Sequence, residues 1–189
     1  MDMKRTGPIR AGTLGKQTGM GAFAADRSGA SALEFALVAV PFLLLTFAVF
    51  EVSLVYFANY TLENAVSRGA RLIRTGQAQT QQLSADQFKA EVCKQLTAPL
   101  TCADLKIDVR RFTDFSSADL TNPLDGNGNL KSNFSYEPGL GGDIVVVRAF
   151  YEWTLAAKLP KEVGLSNMQN GNRLLVATAA FRNEPFPKP

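Results

Sequence analysis

Histidine is missing from all 189 residues. That removes the commonest general base and the commonest metal ligand, so a Ser–His hydrolase and a His-ligated zinc site are both excluded. Cysteine is scarce: Cys93 and Cys102 are the only two, too few for a structural zinc site without histidine. Charge of one sign is also lacking. Twenty Lys and Arg face seventeen Asp and Glu, a formal net charge of +3, which gives no electrostatic case for nucleic acid. No internal repeat is visible. The absences together lead us to expect no catalytic residue, no cofactor, no metal and no nucleic-acid partner.

What the chain has is a very uneven distribution of apolar residues. Residues 1–29 are polar, glycine-rich and basic, with Lys4, Arg5, Arg10, Lys16 and Arg27 against Asp2 and Asp26. From Phe35 to Phe50 no charged residue occurs. With its flanks this run reaches the ~20 residues needed to cross a hydrocarbon core of ~30 Å. Pro41 lies inside it. Proline is tolerated in a membrane helix but costs about 3 kcal/mol in a soluble one. The basic residues before the run mark that side as cytoplasmic, and Arg68, Arg71 and Arg74 lie several turns beyond it. The C-terminal part is therefore expected outside the cytoplasm, in the periplasm.

Beyond Glu51 the pattern turns amphipathic. Val55, Ala58, Leu62, Ala65, Val66 and Leu72 recur at helical spacing, with Glu63, Arg68, Arg71 and Arg74 between them. Gly76 is a C-terminal stop signal. One rod from Ala30 to Thr75, about 70 Å at 1.5 Å per residue, is expected; two helices broken near Glu51 are the alternative. Further on, Ser84-Ala-Asp-Gln87 is a capping-box pattern followed by Phe88, Val92 and Leu96 on one face. Leu105–Arg111 alternates apolar and charged residues, and Asp143–Thr154 and Leu174–Arg182 are strand-like, with these last two expected to pair. Asn122–Asn129 is turn-rich, and Asp125-Gly-Asn-Gly-Asn129 lacks the glycine and glutamate positions of a calcium loop. Phe150, Tyr151 and Trp153 are taken as core or strand-face residues. The fold class is thus α+β: a long N-terminal transmembrane and amphipathic helix with a small domain built on an antiparallel sheet. The expected organisation is a leader over 1–29, a transmembrane helix over 30–58, its amphipathic extension over 59–76, and a periplasmic domain over 77–189.

In an oxidising compartment Cys93 and Cys102 would close a short loop, contributing about 2–3 kcal/mol by the chain-entropy model. The alternative is two buried free thiols.

The informative constellation is Gly29-Ala-Ser-Ala-Leu-Glu34-Phe35. A small pair, Gly29–Ala30, stands where the basic leader meets the apolar helix. Glu34 is the one acid between Ala30 and Phe50, and a carboxylate there is unfavourable by roughly 2.5–3.5 kcal/mol near a bilayer centre, less near an end. Cleavage after Gly29 would create an α-amine on Ala30 with a reference pKa of about 7.7–8. That amine could face Glu34 of a neighbouring subunit and set axial register more than net stability. The plainer reading of Glu34 is a helix-end carboxylate reaching the headgroups.

These residues resemble the TadE-like family, minor pseudopilins of tight-adherence (Tad/Flp) pilus systems, where a glycine, four residues, a glutamate and an aromatic recur. The similarity continues through Ala36–Pro41, Thr61–Val66, Ala70–Gly76, Gly142–Arg148, Tyr151–Trp153 and Asn172–Phe186. The resemblance implies a type IV pilin-like subunit. It implies processing after Gly29 by a prepilin peptidase, insertion in the bacterial inner membrane, and a role in assembling or anchoring an adhesive pilus. Its expected partners are that peptidase, other pilins or pseudopilins, the Tad inner-membrane machinery and inner-membrane lipid. The rival readings are an uncleaved, signal-anchored periplasmic binding or scaffold protein and, last, a secreted enzyme.

Overall fold

The structure, a computed structural model, describes residues 29–118, 121–156 and 164–187. The expected leader over 1–29 lies outside the described residues except for Gly29. The chain divides into two units, Met1–Thr46 and Phe47–Pro189. Helix α1, Ala30–Arg74, supplies residues to both.

In the first unit α1 is apolar apart from Ser31, Glu34 and Thr46, and no described residue outside the helix buries its side chains. Phe35 is 75% exposed and Val38 71%, values that water would penalise and lipid would not. Pro41 sits inside the helix and withholds the N–H that the carbonyl of Leu37 would receive. Further along, in the second unit, Ser53 Oγ donates to the Val49 carbonyl at 2.8 Å. Thr46 at the end of the first unit does the same to Phe42 at 2.8 Å. Both hydroxyls are satisfied inside the helix, as an apolar surrounding requires.

In the second unit α1 becomes one wall of a core. Burial begins at Val55 and recurs at Ala58, Thr61, Leu62, Ala65, Val66, Gly69, Ala70 and Ile73. The stripe follows the expected spacing, except that Ile73 takes the buried place expected for Leu72, which is half-buried. The helix ends because Gly76 adopts φ +77°, a left-handed conformation that glycine enters without strain. The ring of Phe186 occupies the space a side chain would need there, 2.6 Å from an ideal Cβ. A single helical turn, α2 (Gln77–Thr80), follows. Next comes α3, Ala85–Cys93, whose capping box is complete: Ser84 Oγ accepts from Gln87 N–H and Gln87 Oε1 accepts from Ser84 N–H. Phe88 and Val92 of α3 are fully buried. Cys93, its last residue, is disulfide-bonded to Cys102.

Three strands complete the unit: β1 (Leu105–Phe112), β2 (Ile144–Trp153) and β3 (Arg173–Arg182). They form one antiparallel sheet in the order β1-β2-β3. Val109 pairs with Val147 and Ala149 with Ala177. Alternation along each strand sends Leu105, Val109, Val145, Val147, Ala149, Leu175 and Ala177 to the face shared with α1 and α3. The opposite face is covered by loops. Phe150, Met168 and Leu174 are buried there with Leu124, Leu130 and Phe134, and the Phe134 and Phe150 rings stack at 5.7 Å. Burial on both faces explains why β2 reads as a nearly unbroken apolar run.

The loop-side face also buries a charge. Asp108, only 1% exposed, accepts from Arg148 Nη2 at 2.8 Å, from Arg110 Nε at 3.0 Å and from the Ser135 N–H at 2.9 Å. The plain apolar/charged alternation expected for β1 does not anticipate this: Asp108 is charged and fully inside. Burial alone would raise its pKa. The hydrogen bonds from Arg148, Ser135 and Arg110, with the charge of Arg110, outweigh burial and hold it below the ordinary carboxylate value.

Two stability predictions follow from this packing. At Gly69 an added Cβ would sit 2.5 Å from Val92 Cγ2, a stiff buried side chain. Alanine gains about 1 kcal/mol of helix propensity but overpacking costs typically 1–3 kcal/mol. Gly69→Ala should therefore lower the denaturation midpoint of the detergent-solubilised chain, Gly69→Val should lower it further, and Val92→Ala should recover part of the loss. Asp108→Asn leaves the Arg148 guanidinium buried without its counter-charge and should cost about 3–5 kcal/mol. Because the folded pKa is depressed, the contribution of Asp108 is complete above the unfolded value near 4. It is lost as pH falls through the lower folded value, so the mutant's acid transition should be flatter there than the parent's. Equal acid profiles for the two proteins would contradict this.

Candidate functional site

The site begins at the start of α1. Gly29 is exposed, and its carbonyl accepts the first helical hydrogen bond, from Leu33 N–H, at 3.1 Å. Ala30 is the first helical residue. The Gly29–Ala30 bond thus lies at the junction of turn and helix, on exposed residues, where a protease can reach the backbone. The N–H groups of Ala30, Ser31 and Ala32 precede the first helical donor, Leu33, and carry the positive end of the helix dipole.

Glu34 stands four residues after Ala30, a little over one turn, so both lie on nearly the same side of α1. It is exposed, and no described residue offers it a cation or a hydrogen-bond donor. Phe35 beside it is equally bare. The side chains around Glu34, among them Leu33, Leu37 and Val38, are apolar and exposed. The arrangement has no chemistry of bond making or breaking. It is a carboxylate without a partner on an apolar helix, and what it can do is pair with a cation brought from outside.

Residues 29–71 match the family model described as TadE-like protein. The chain carries a TadE-like segment. That segment starts at Gly29 and ends three residues before α1 does. It therefore contains Gly29, Ala30, Glu34 and Phe35 together with most of the stripe that α1 buries. No curated protein and no solved structure matches the chain. The layout around the TadE-like segment is pilin-like: a long apolar N-terminal helix and a small α+β domain with a three-stranded antiparallel sheet. By length and composition α1 is able to cross a membrane.

The remaining candidate positions are structural in kind. Cys93 and Cys102 tie the end of α3 to the loop before β1. They belong to the second unit, whereas Gly29 to Phe35 belong to the first. Asp125 accepts from the N–H groups of Asn127 and Asn129 through Oδ1, and the Gly128 carbonyl accepts from Gln169 N–H at 3.0 Å, so Asp125–Asn129 is a turn held by hydrogen bonds of its own and one from Gln169. Asp114 is held below its ordinary pKa by hydrogen bonds from the Ser116 hydroxyl and the Ser117 N–H, another local turn. Among the described residues no group of His, Cys, Asp or Glu is placed to hold a metal ion.

Two arrangements escape sequence reasoning. One is the Asp108 cluster, whose only signal is an acid in β1 that comes into register with Arg148, the one basic residue of β2. The other is the C-terminal strap. Asn183 donates from Nδ2 to the carbonyls of Pro138 and Leu140 at 2.9 and 3.0 Å. Glu184 N–H donates to the Arg74 carbonyl at 2.9 Å, and its carboxylate meets Arg74 Nε at 3.3 Å. The strap uses the last carbonyl of α1 and the positive charge that suits a helix C-terminus.

Proposed function

We propose that this chain is a pseudopilin-like subunit that assembles or anchors Tad/Flp pili, and that a prepilin peptidase matures it after Gly29. The TadE-like segment supports a Tad pilus-associated role, and the rest is argued from the residues. The observation that carries the reading is Glu34, exposed and unpartnered on a bare apolar helix that begins at Ala30.

The mechanism is association of parallel helices in the inner membrane. Lys4, Arg5, Arg10, Lys16 and Arg27 keep the N-terminus cytoplasmic, and the domain on the far side is periplasmic. Removal of the leader exposes a new amine on Ala30, cationic near neutral pH. Within one helix Ala30 and Glu34 differ in height by about 6 Å. An amine of one subunit that meets Glu34 of the next therefore offsets neighbouring helices by about that distance. In lipid, apolar side chains alone give no register, because one sliding position is nearly as good as another. The ion pair selects one.

The expected mature N-terminus is Ala30. N-terminal sequencing of the membrane-bound protein, with and without the peptidase, reads this directly; an intact leader in peptidase-competent cells refutes maturation and favours the signal-anchored reading. Glu34→Ala and Glu34→Gln should reach the membrane in normal amount yet abolish pilus assembly, while Glu34→Asp should retain part of it. Normal piliation in the alanine variant would sink the register role.

A further inference from the structure

The two edges of the sheet are finished differently. On β1, Val109 uses its outward N–H and C=O on the Ser135 carbonyl at 2.8 Å and the Glu137 N–H at 2.9 Å. The covering segment thus runs alongside as a parallel bridge at Tyr136. On β3, the outward groups belong to the even-numbered residues. Leu174 shows this at one end, where both its N–H and C=O are taken by the Asn167 side chain, at 2.7 and 3.5 Å. Glu184 shows it past the other end, where its N–H goes to the Arg74 carbonyl. The odd-numbered Asn183 pairs instead with the β2 side, through Asp143 and Gly142. Between these two caps, the backbone of Val176, Thr178, Ala180 and Arg182 points outward with no partner among the described residues. All four are exposed. Three of the four side chains are short, and no proline, lysine or bulge blocks the edge, although natural edges are usually protected by such devices.

The space beside this edge is shaped and charged. Two clefts open between α1 and β3. One, of about 350 Å³, is lined by Val52, Val55, Tyr56, Leu175 and Val176, with Asn59 and with Arg173, whose guanidinium donates to the Gly164 and Leu165 carbonyls. The other, of about 530 Å³, is lined by Ser67, Arg71, Arg74, Ala179, Phe181 and Glu184. Arg74 is neutralised by Glu184, but Arg71 meets no carboxylate among the described residues. Glu63, held by Asn59 at 2.7 Å, lies on α1 between the two clefts, so an incoming acid is disfavoured midway and favoured at the Arg71 end.

We propose that the outer edge of β3 accepts an extended, acidic segment of a partner protein as a fourth strand of the sheet, running parallel to β3. Residues opposite each other on paired strands point to the same face. The partner's residue opposite Leu175 would enter the first cleft. Its residue opposite Ala179, four positions away, would enter the cleft of Arg71. The recognised pattern is an apolar side chain and a carboxylate four residues apart on one strand face, with main-chain bonds to Val176, Thr178 and Ala180. A second copy of this chain fits poorly. Its own β3 carries no acid and is flanked by Arg173 and Arg182, which would bring like charge to Arg71. The proposal is independent of leader removal and of Glu34.

The test uses the full chain in detergent micelles and two blocked, fluorescently labelled heptapeptides, Thr-Leu-Thr-Val-Thr-Glu-Thr and the same sequence with lysine in place of glutamate. Fluorescence anisotropy should show the glutamate peptide binding at least tenfold more tightly. Ala180→Pro removes an outward N–H and leaves the β2 ladder intact, so it should weaken binding at least tenfold without changing the circular dichroism spectrum. Thr178→Pro should act in the same way. Arg71→Glu, a surface change that spares the fold, should reverse the preference between the peptides. Failure of both peptides to bind, equal binding of the two, or indifference to both proline variants with Arg71→Glu also silent overturns the proposal. Dimers of the chain cross-linked through Thr178, and not displaced by the glutamate peptide, would assign the edge to a second copy and overturn it equally.

Discussion

A helix can be left bare of protein only if something other than water surrounds it, and this constraint governs the chain. Between Leu33 and Phe50 the large side chains of α1 are nearly all exposed, Phe35, Val38 and Phe47 among them. Covering one such side chain is worth about 1.5–3 kcal/mol. Leaving this many in water would exceed the net stability of an ordinary domain. From Val55 onward the same helix buries its small and apolar side chains against a sheet and against α3. The change of regime occurs inside one element. It needs Gly69 to bring α3 close, and Gly76 to stop the helix where the C-terminal strap receives it.

Much of this was legible because it rests on local rules. The uncharged run, the amphipathic stripe, the Ser84–Gln87 capping box and the left-handed stop at Gly76 each depend on residues within a turn or two of one another. So do the strands, whose observed ends differ by a residue or so from those expected at Asp143–Thr154 and Leu174–Arg182. The glycine, four-residue and glutamate spacing at Gly29–Glu34 was readable for the same reason, since a helix converts spacing into a shared face.

What was not legible depends on register. Nothing near Asp108 in the chain says that it faces inward; alternation with Lys106 and Arg110 puts it on the outer face in a one-sided sheet. The sheet is instead covered on both sides, because residues 121–137 and 164–172 contribute Leu124, Leu130, Phe134 and Met168 to the second face. With that cover in place an outward position becomes a buried one, and Arg148, forty residues away, becomes its partner. The open edge of β3 was hidden likewise. Which backbone groups remain free is decided by Asn167, Asn183 and Arg74 acting on the strand's two ends, and no local pattern reports it.

The chain therefore places a carboxylate in apolar surroundings twice, with opposite outcomes. Asp108 is surrounded by Arg148, Arg110 and a backbone N–H, and its charge is settled within the fold. Glu34 lies among Leu33, Phe35, Leu37 and Val38 with no such provision. A carboxylate there is unfavourable unless its counter-charge comes from elsewhere. The fold shows at Asp108 what internal compensation looks like: two guanidinium groups within 3.0 Å. The lack of such groups around Glu34 among the described residues is the physical reason behind the proposal that this residue serves contacts between subunits. In the proposed reading, that counter-charge is the amine that opening the Gly29–Ala30 bond would create.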